Sequence, residues 1–386
     1  MIARALSEKA LSLYQQFPAL MITGPRQSGK TTLIKNLFPE LVYLSLEDPD
    51  VRQRATNDPR GFLNNYPNGA IFDEVQRVPE LFSYLQSMID SNSDCHFVLS
   101  GSQHFLLMEQ VTQSLAGRVA ILNLLPLSLS EMKNANLPPL SNIENALFHG
   151  GYPRIFNQKI DPYDFHSAYL QTYIERDVRQ LRQIGDLDSF VRFIRLCAGR
   201  VGQLLNVHSL ATDAGISTKT ATDWLSVLQT SHIIFTLQPH FKNFNKRLVK
   251  TPKLYFTDTG LACHLLGVEK PEQLTTHFLR GGLFENLIVL ELLKLRYNQG
   301  KKSNLYFWRD SHGHEVDCLL ENLDKLTPIE IKSSATTNAS FFEGLSYWQR
   351  LAGENTEGGA VVFGGDISAK TSSGDFVSWR ELERFI

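Results

Sequence analysis

Ala19-Leu20-Met21-Ile22 is a short apolar run, and Gly24-Pro25-Arg26-Gln27-Ser28-Gly29-Lys30-Thr31 follows it almost directly. From Lys30 the pattern turns helical, over residues 30–37. A buried strand, a glycine-bearing loop and a helix, in that order, predict an α/β layer with the loop at the strand's carboxyl end. The spacing Gly24-x-x-x-x-Gly29-Lys30-Thr31 is a complete P-loop pattern. Gly24 and Gly29 let the main chain turn so that its N–H groups face phosphate oxygens, and the helix start adds its positive end. The expected ligand-lining residues are Gly24, Pro25, Arg26, Gln27, Ser28, Gly29, Lys30, Thr31 and Thr32. The expected cofactors are ATP and Mg²⁺, with Lys30 on the β/γ-phosphates and the Thr31 hydroxyl on the metal.

Four further apolar runs alternate with helical patterns: Leu41-Val42-Tyr43-Leu44, Ala70-Ile71-Phe72, Phe97-Val98-Leu99 and Val119-Ala120-Ile121-Leu122. Runs apolar on both faces suit a buried parallel sheet. The third strand ends in Asp73-Glu74, at the edge where open α/β sheets bind ligands. Asp73 is expected to hold Mg²⁺ through water, and Glu74 to orient or deprotonate the attacking water. The fourth run ends in Ser100-Gly101-Ser102-Gln103, where Ser102 or Gln103 would sense the γ-phosphate. Arg118 precedes the fifth run and is placed to act as an arginine finger on a neighbouring subunit. The plainer readings are that Ser102 caps a helix and Arg118 is a surface charge.

A chain of 386 residues is too long for one core and suggests two or three domains. Its composition, 42% hydrophobic and 20% charged, is that of an ordinary globular protein. A net charge of -2 gives no global basic field, so any nucleic-acid footprint must be local. Cys95, Cys197, Cys263 and Cys318 form no C-x-x-C pair, which speaks against zinc ribbons and redox pairs. Met1 to Ala5 lacks a signal-like apolar run, and no stretch reaches membrane-span length. These features together predict a cytoplasmic protein with no membrane partner.

The P-loop, Phe72-Asp73-Glu74-Val75-Gln76-Arg77-Val78-Pro79, Ser100-Gly101-Ser102 and Ala116-Gly117-Arg118 resemble the AAA-type ATPases of bacteria and archaea that carry a C-terminal domain of unassigned role. Gly150-Gly151-Tyr152-Pro153, Tyr255-Phe256-Thr257-Asp258-Thr259-Gly260-Leu261 and Phe284-Glu285-Asn286 extend the resemblance over nearly the whole chain. It implies an AAA fold and use of Mg-ATP, and much less about cellular role.

In the middle, residues 190–235 read as three helices. Val207 to Ala214 ends at Gly215, and Ser217 caps a helix from Thr218 to Leu228, a helix-turn-helix pattern. Lys242, Lys246, Arg247, Lys250 and Lys253 follow, with Phe241 and Phe244 interleaved and no acid over residues 240–253. This segment is expected to be a wing on DNA phosphates, or else a solvated basic loop beside helices used for packing. The second helix carries Lys219 and Asp223 but no arginine to read guanine.

Glu285, Asp317, Glu330 and Lys332 form a second candidate site. Glu330 and Lys332 share one face of a strand, and Glu285 interrupts the apolar stripe Ile288, Val289, Leu292. A carboxylate on such a stripe needs a partner. Glu285, Asp317 and Glu330 are the expected ligands of one or two divalent metals, with Lys332 aiding phosphodiester cleavage. Glu315 and Glu291 are nearby alternative acids, and a structural ion-pair network is the competing reading. The order acid, Asp, Glu-x-Lys looks like the restriction-endonuclease-like fold. The E-x-K element alone carries no weight, since Glu131-Met132-Lys133 has the same form.

The predicted architecture is α/β: an AAA-type ATPase core over 1–135, a helical connection over 136–186, a winged-helix-like part over 187–267 and a nuclease-like α/β domain over 268–386. The expected activity is ATP hydrolysis in DNA processing, with catalytic residues Lys30, Glu74, Ser102, Arg118, Glu330 and Lys332. The alternative is an ATP-switched DNA- or protein-binding regulator with an inactive nuclease-like domain. A non-nucleic-acid ATPase switch is a third possibility. DNA and a second copy of the chain stand as candidate partners.

Overall fold

The structure is a computed structural model that describes residues 2–92, 95–102, 114–137, 141–173, 186–240 and 249–385. The chain divides into two compact units. One holds residues 1–127, 230–232 and 297–301; the other holds 128–229, 233–296 and 302–386.

The first unit is built on strands β1 (Ala19–Thr23), β2 (Tyr43–Ser45), β3 (Ile71–Asp73), β4 (Phe97–Gly101) and β5 (Val119–Asn123). All pair in parallel, in the order β2-β3-β4-β1-β5. Alternate side chains explain why the runs are apolar throughout. Met21, Phe72 and Leu99 enter one core, while Leu20, Ile22, Ile71 and Val98 enter the other. Helical cover on both faces of a parallel sheet demands this. Edge strand β5 departs from the pattern: Ala120 and Leu122 are buried, but Val119 and Ile121 only half so. The helix Lys30–Leu37 starts where predicted and buries Leu33 and Ile34. β1 and β3 flank the central strand β4, and the common strand direction brings the ends of all three to one edge of the sheet.

In the second unit, Asp161 caps the helix Pro162–Tyr169. Of the helical connection expected over 136–186, residues 138–140 and 174–185 lie outside the described residues. Helices Leu187–Ala198, Val207–Ala214 and Thr218–Thr230 follow, capped by Asp186, Asn206 and Ser217. Gly215, at φ 73°, supplies the left-handed turn between the last two. Strands β6 (Ile234–Leu237) and β7 (Lys253–Phe256) then pair antiparallel.

The helix Arg280–Asn298 leads into β8 (Leu305–Arg309), β9 (Glu315–Asn322) and β10 (Lys325–Lys332). After the helix Glu343–Ala352 come β11 (Ala360–Phe363), β12 (Ala369–Thr371) and β13 (Gly374–Ser378). The sheet order is β12-β13-β11-β10-β9-β8. β8, β9 and β10 are antiparallel neighbours, whereas β10, β11 and β13 run parallel. Leu345, Trp348 and Ala352 form the buried stripe of the helix Glu343–Ala352 and join Trp308, Leu319, Val361 and Phe376 in one core. Among the described residues no helix is long and apolar enough to cross a membrane.

Candidate nucleotide site and C-terminal acid cluster

The loop after β1 has the backbone its glycines permit. Gly24 sits at φ 151°, and a Cβ there would lie 2.1 Å from the Leu124 carbonyl oxygen, so no other residue fits. Gly29, at φ 95°, opens the helix Lys30–Leu37. Lys30 is buried, and its ammonium donates to the Gly24 and Pro25 carbonyl oxygens at 3.0 and 2.9 Å. Burial pulls its pKa below the ordinary lysine value, against the charges of Glu74 and Asp73. Thr32 is exposed on the first helical turn, and Arg26 pairs with Glu47 at 3.5 Å.

Asp73 ends β3 beside this loop. Its Oδ2 accepts from the Thr31 hydroxyl at 2.6 Å and from the Tyr43 hydroxyl at 2.7 Å. Its Oδ1 accepts from Ser100 and from the Glu74 N–H. Thr31 and Asp73 thus place hard oxygen donors side by side, the set Mg²⁺ takes with water completing its shell. The residues present fit that ion. Glu74 follows at φ 55°, a left-handed conformation costly for a non-glycine residue. Its Oε2 accepts from Gln76 and, at 3.2 Å, from the Ser102 hydroxyl. Ser102 therefore reaches the expected catalytic carboxylate, while Gln103 lies outside the described residues. Arg118 is not extended from the surface as a free finger. It forms a two-pronged pair with Asp90, Nε to Oδ1 at 2.6 Å and Nη2 to Oδ2 at 2.9 Å.

Two residues of this pocket escaped the sequence reading. Tyr43 on β2 shares the Asp73 carboxylate with Thr31. Arg4 is buried and donates to the Ser28 and Leu125 carbonyl oxygens, each at 2.6 Å, bracing the loop from beneath. Neither belongs to a local motif.

The C-terminal acids are arranged differently from the expectation of a shared metal. Lys253, the first residue of β7, is 2% exposed and lies among them. Its Nζ is 2.7 Å from Glu285 Oε1 and 3.9 Å from Asp317 Oδ1, and it also pairs with Glu315. Lys253 was expected to be part of a basic wing facing DNA phosphates; its burial and its three carboxylate neighbours rule that role out in this conformation. Alternation along β7 puts Tyr255 on the same face, and its hydroxyl donates to Glu285 at 2.5 Å. Of the remaining wing residues, Lys250 is exposed, and Lys242, Lys246 and Arg247 lie outside the described residues.

Glu315 also receives Arg309 at 2.8 Å, and Asp317 Oδ2 accepts the Ile331 N–H at 2.8 Å. Glu330 turns to Lys332, 2.5 Å away on the same strand face, leaving its buried Oε2 without a hydrogen-bond partner among the described residues. Burial, then the Asp317 charge, pushes the Glu330 carboxyl up to about 8 although Lys332 draws it down. Burial also raises Glu285 above the usual carboxylate range, against the pull of Lys253. The three carboxylates act in the other direction on Lys253, outweighing its burial and holding its ammonium charged. Among the described residues, no group of three His, Cys, Asp or Glu side chains is placed to hold a metal ion. Glu285, Asp317 and Glu330 therefore do not fit one ion in this arrangement. The alternative acid Glu291 is buried elsewhere on the helix Arg280–Asn298, paired with Lys294 at 2.7 Å and accepting the Leu129 N–H.

The chain matches three family models. Residues 16–133 match the family model described as an AAA domain. Residues 140–272 and 280–382 match two models described as domains of unknown function, DUF8612 and DUF4143. An uncharacterized protein of Mycobacterium tuberculosis is 29% identical over 329 residues, covering 84% of this chain and 72% of the relative. One of Methanocaldococcus jannaschii is 23% identical over 332 residues, covering 78% and 71%. Among solved structures, a Walker-type ATPase of Pyrococcus abyssi superposes with a TM-score of 0.47 at 16% identity, covering 69% of this chain and 96% of that one. AMPPCP-bound DnaA from Aquifex aeolicus gives 0.31 at 15% identity, covering 58% and 86%. The AAA-domain match and the geometry around Lys30 and Asp73 together support an ATP-binding P-loop ATPase domain in the N-terminal third.

Proposed function

We propose that the chain is a Mg²⁺-dependent ATP hydrolase that works as a switch, and that its C-terminal half binds DNA or a protein without cutting it. The observation that carries the first part is the 2.6 Å contact between Thr31 and Asp73 beside a buried Lys30. In this reading the ammonium of Lys30 exchanges its two loop carbonyls for phosphate oxygens. Thr31 and Asp73 would hold Mg²⁺, which would supply charge neutralisation to the phosphates. Glu74 orients the attacking water and accepts its proton, with Ser102 reporting the γ-phosphate to it. Arg118 acts on a neighbouring copy only after leaving Asp90, so oligomer formation and finger release are one event.

Two features support a DNA-processing lineage for the rest. The three capped helices followed by an antiparallel strand pair are the order of a winged helix. The helix Arg280–Asn298, antiparallel β8-β9-β10, the helix Glu343–Ala352 and parallel β11 follow the order of a restriction-endonuclease-like core. The boundaries 1–135, 136–186, 187–267 and 268–386 remain our division of roles. The ion pairs of Lys253 favour the binding regulator over the nuclease. Purified chain should hydrolyse ATP with Mg²⁺, lose this in Lys30→Ala, and leave supercoiled, linear and single-stranded DNA intact. Metal-dependent cleavage that disappears in Glu330→Ala and Lys332→Ala would restore the nuclease reading.

A further inference from the structure

Three strands and a helix each bring charge to one buried spot. On β7, Lys253 and Tyr255 share a face; on β9, Glu315 and Asp317 do; on β10, Glu330 and Lys332 do; the helix Arg280–Asn298 adds Glu285. Period-two alternation makes every one of these pairs. Carboxylates so enclosed need a positive partner, because an unpaired buried charge is very costly. Divalent metals commonly fill that need, bound by hard oxygen ligands at about 2.0–2.6 Å. Here the ammonium of Lys253 fills it, touching carboxylates from two separate elements. Glu330 adds an acceptor, Oε2, that is buried and has no hydrogen-bond partner among the described residues.

We propose that Lys253 is the resident cation of this cluster, standing where a nuclease of this strand pattern would hold a divalent metal, and that the acids beneath it are a latent Mg²⁺ or Mn²⁺ site. The lysine is tethered, so its local concentration is fixed and no free ion competes with it on equal terms. It carries one charge against three carboxylates, which keeps the acids together yet supplies no Lewis acid for phosphodiester chemistry. Removing its charge while keeping its length should open the cluster to a divalent ion. The inference rests on reading the C-terminal sheet as restriction-endonuclease-like.

Mn²⁺ titration of the full-length, nucleotide-free chain, with free ion counted by its paramagnetic resonance signal, tests this in wild type, Asp317→Asn, Lys253→Met and the Lys253→Met/Asp317→Asn double variant. Wild type and Asp317→Asn should bind the same number of ions. Lys253→Met should bind one more, the double variant should lose it, and Mn²⁺ should raise the melting temperature of Lys253→Met but not of wild type. If wild type binds more Mn²⁺ than Asp317→Asn, the lysine does not exclude metal and the proposal fails while the nuclease-like reading stands. If folded Lys253→Met binds no extra ion, the proposal fails together with that reading of the acids. Should Lys253→Met not fold even with Mn²⁺, Lys253→Gln is read by the same criteria, and an excess of ions in wild type over Asp317→Asn overturns the proposal whichever variant folds.

Discussion

The N-terminal pocket and the C-terminal cluster both gather carboxylates near a buried lysine, yet they satisfy them in opposite ways. Asp73 is held by neutral donors: the hydroxyls of Thr31, Tyr43 and Ser100 and one main-chain N–H. Lys30 is held by neutral acceptors, the carbonyls of its own loop. Among the described residues neither is tied up in a close ion pair, so each keeps its attraction for an incoming ion, a phosphate for one and a metal for the other. In the cluster the counter-charge comes from within: Lys253 lies against Glu285 and Glu315, and Lys332 against Glu330. Motif residues alone do not separate the two cases. What separates them is whether a site's own side chains already supply the counter-charge.

The contrast predicts effects of different kinds and sizes. In the pocket, Glu74→Gln should keep nucleotide affinity but slow hydrolysis roughly 100- to 10,000-fold, the range for a lost general base. Equal turnover in steady-state phosphate release would remove Glu74 from the chemistry. In the cluster, Lys253→Met should leave ATP hydrolysis alone and destabilise the second unit by about 3–5 kcal/mol, as removal of one partner from a buried pair does. A denaturant midpoint unchanged from wild type would mean the acids do not depend on this lysine. Glu330 adds a pH signature. Its carboxyl is raised from 4.5 to about 8, so the folded chain keeps a proton that the unfolded chain releases. The stability from that proton is full below about pH 4.5 and is lost as pH rises to about 8. Melting temperature should therefore fall between about pH 4.5 and about pH 8 in wild type and fall less in Glu330→Gln; parallel curves would contradict the assignment. The smallest effect should come from Tyr43→Phe, which removes one hydroxyl from Asp73 and should shift the Mg²⁺ dependence of hydrolysis by about 1 kcal/mol, within tenfold. No shift would make Tyr43 a bystander.

The pocket was largely legible because its chemistry is local. The loop's glycines, Lys30 and Thr31 sit within eight residues, and Asp73-Glu74 are marked by the apolar run before them. Tyr43 and Arg4 were not legible. Their partners stand 30 and 24 or 121 residues away, and a tyrosine in a strand or an arginine near the start of a chain signals nothing by itself. The cluster was half legible: Glu285, Asp317 and Glu330 were found from strand order and an interrupted apolar stripe. Lys253 was misjudged because it closes a run of basic residues that reads as solvated. One signal was present. Lys253 opens the apolar stretch Leu254-Tyr255-Phe256 and alternates with it, which marks a strand residue rather than a loop residue. Partner choice among buried charges is a tertiary property that no spacing rule supplies.

Crystals of the full chain grown with Mn²⁺ and a non-hydrolysable ATP analogue, and read by anomalous scattering from the metal, test the contrast most directly. The account predicts one Mn²⁺ beside Thr31 and Asp73, with Lys253 still seated between Glu285 and Glu315. A Mn²⁺ bound by Glu285, Asp317 or Glu330 in the wild-type chain would contradict it.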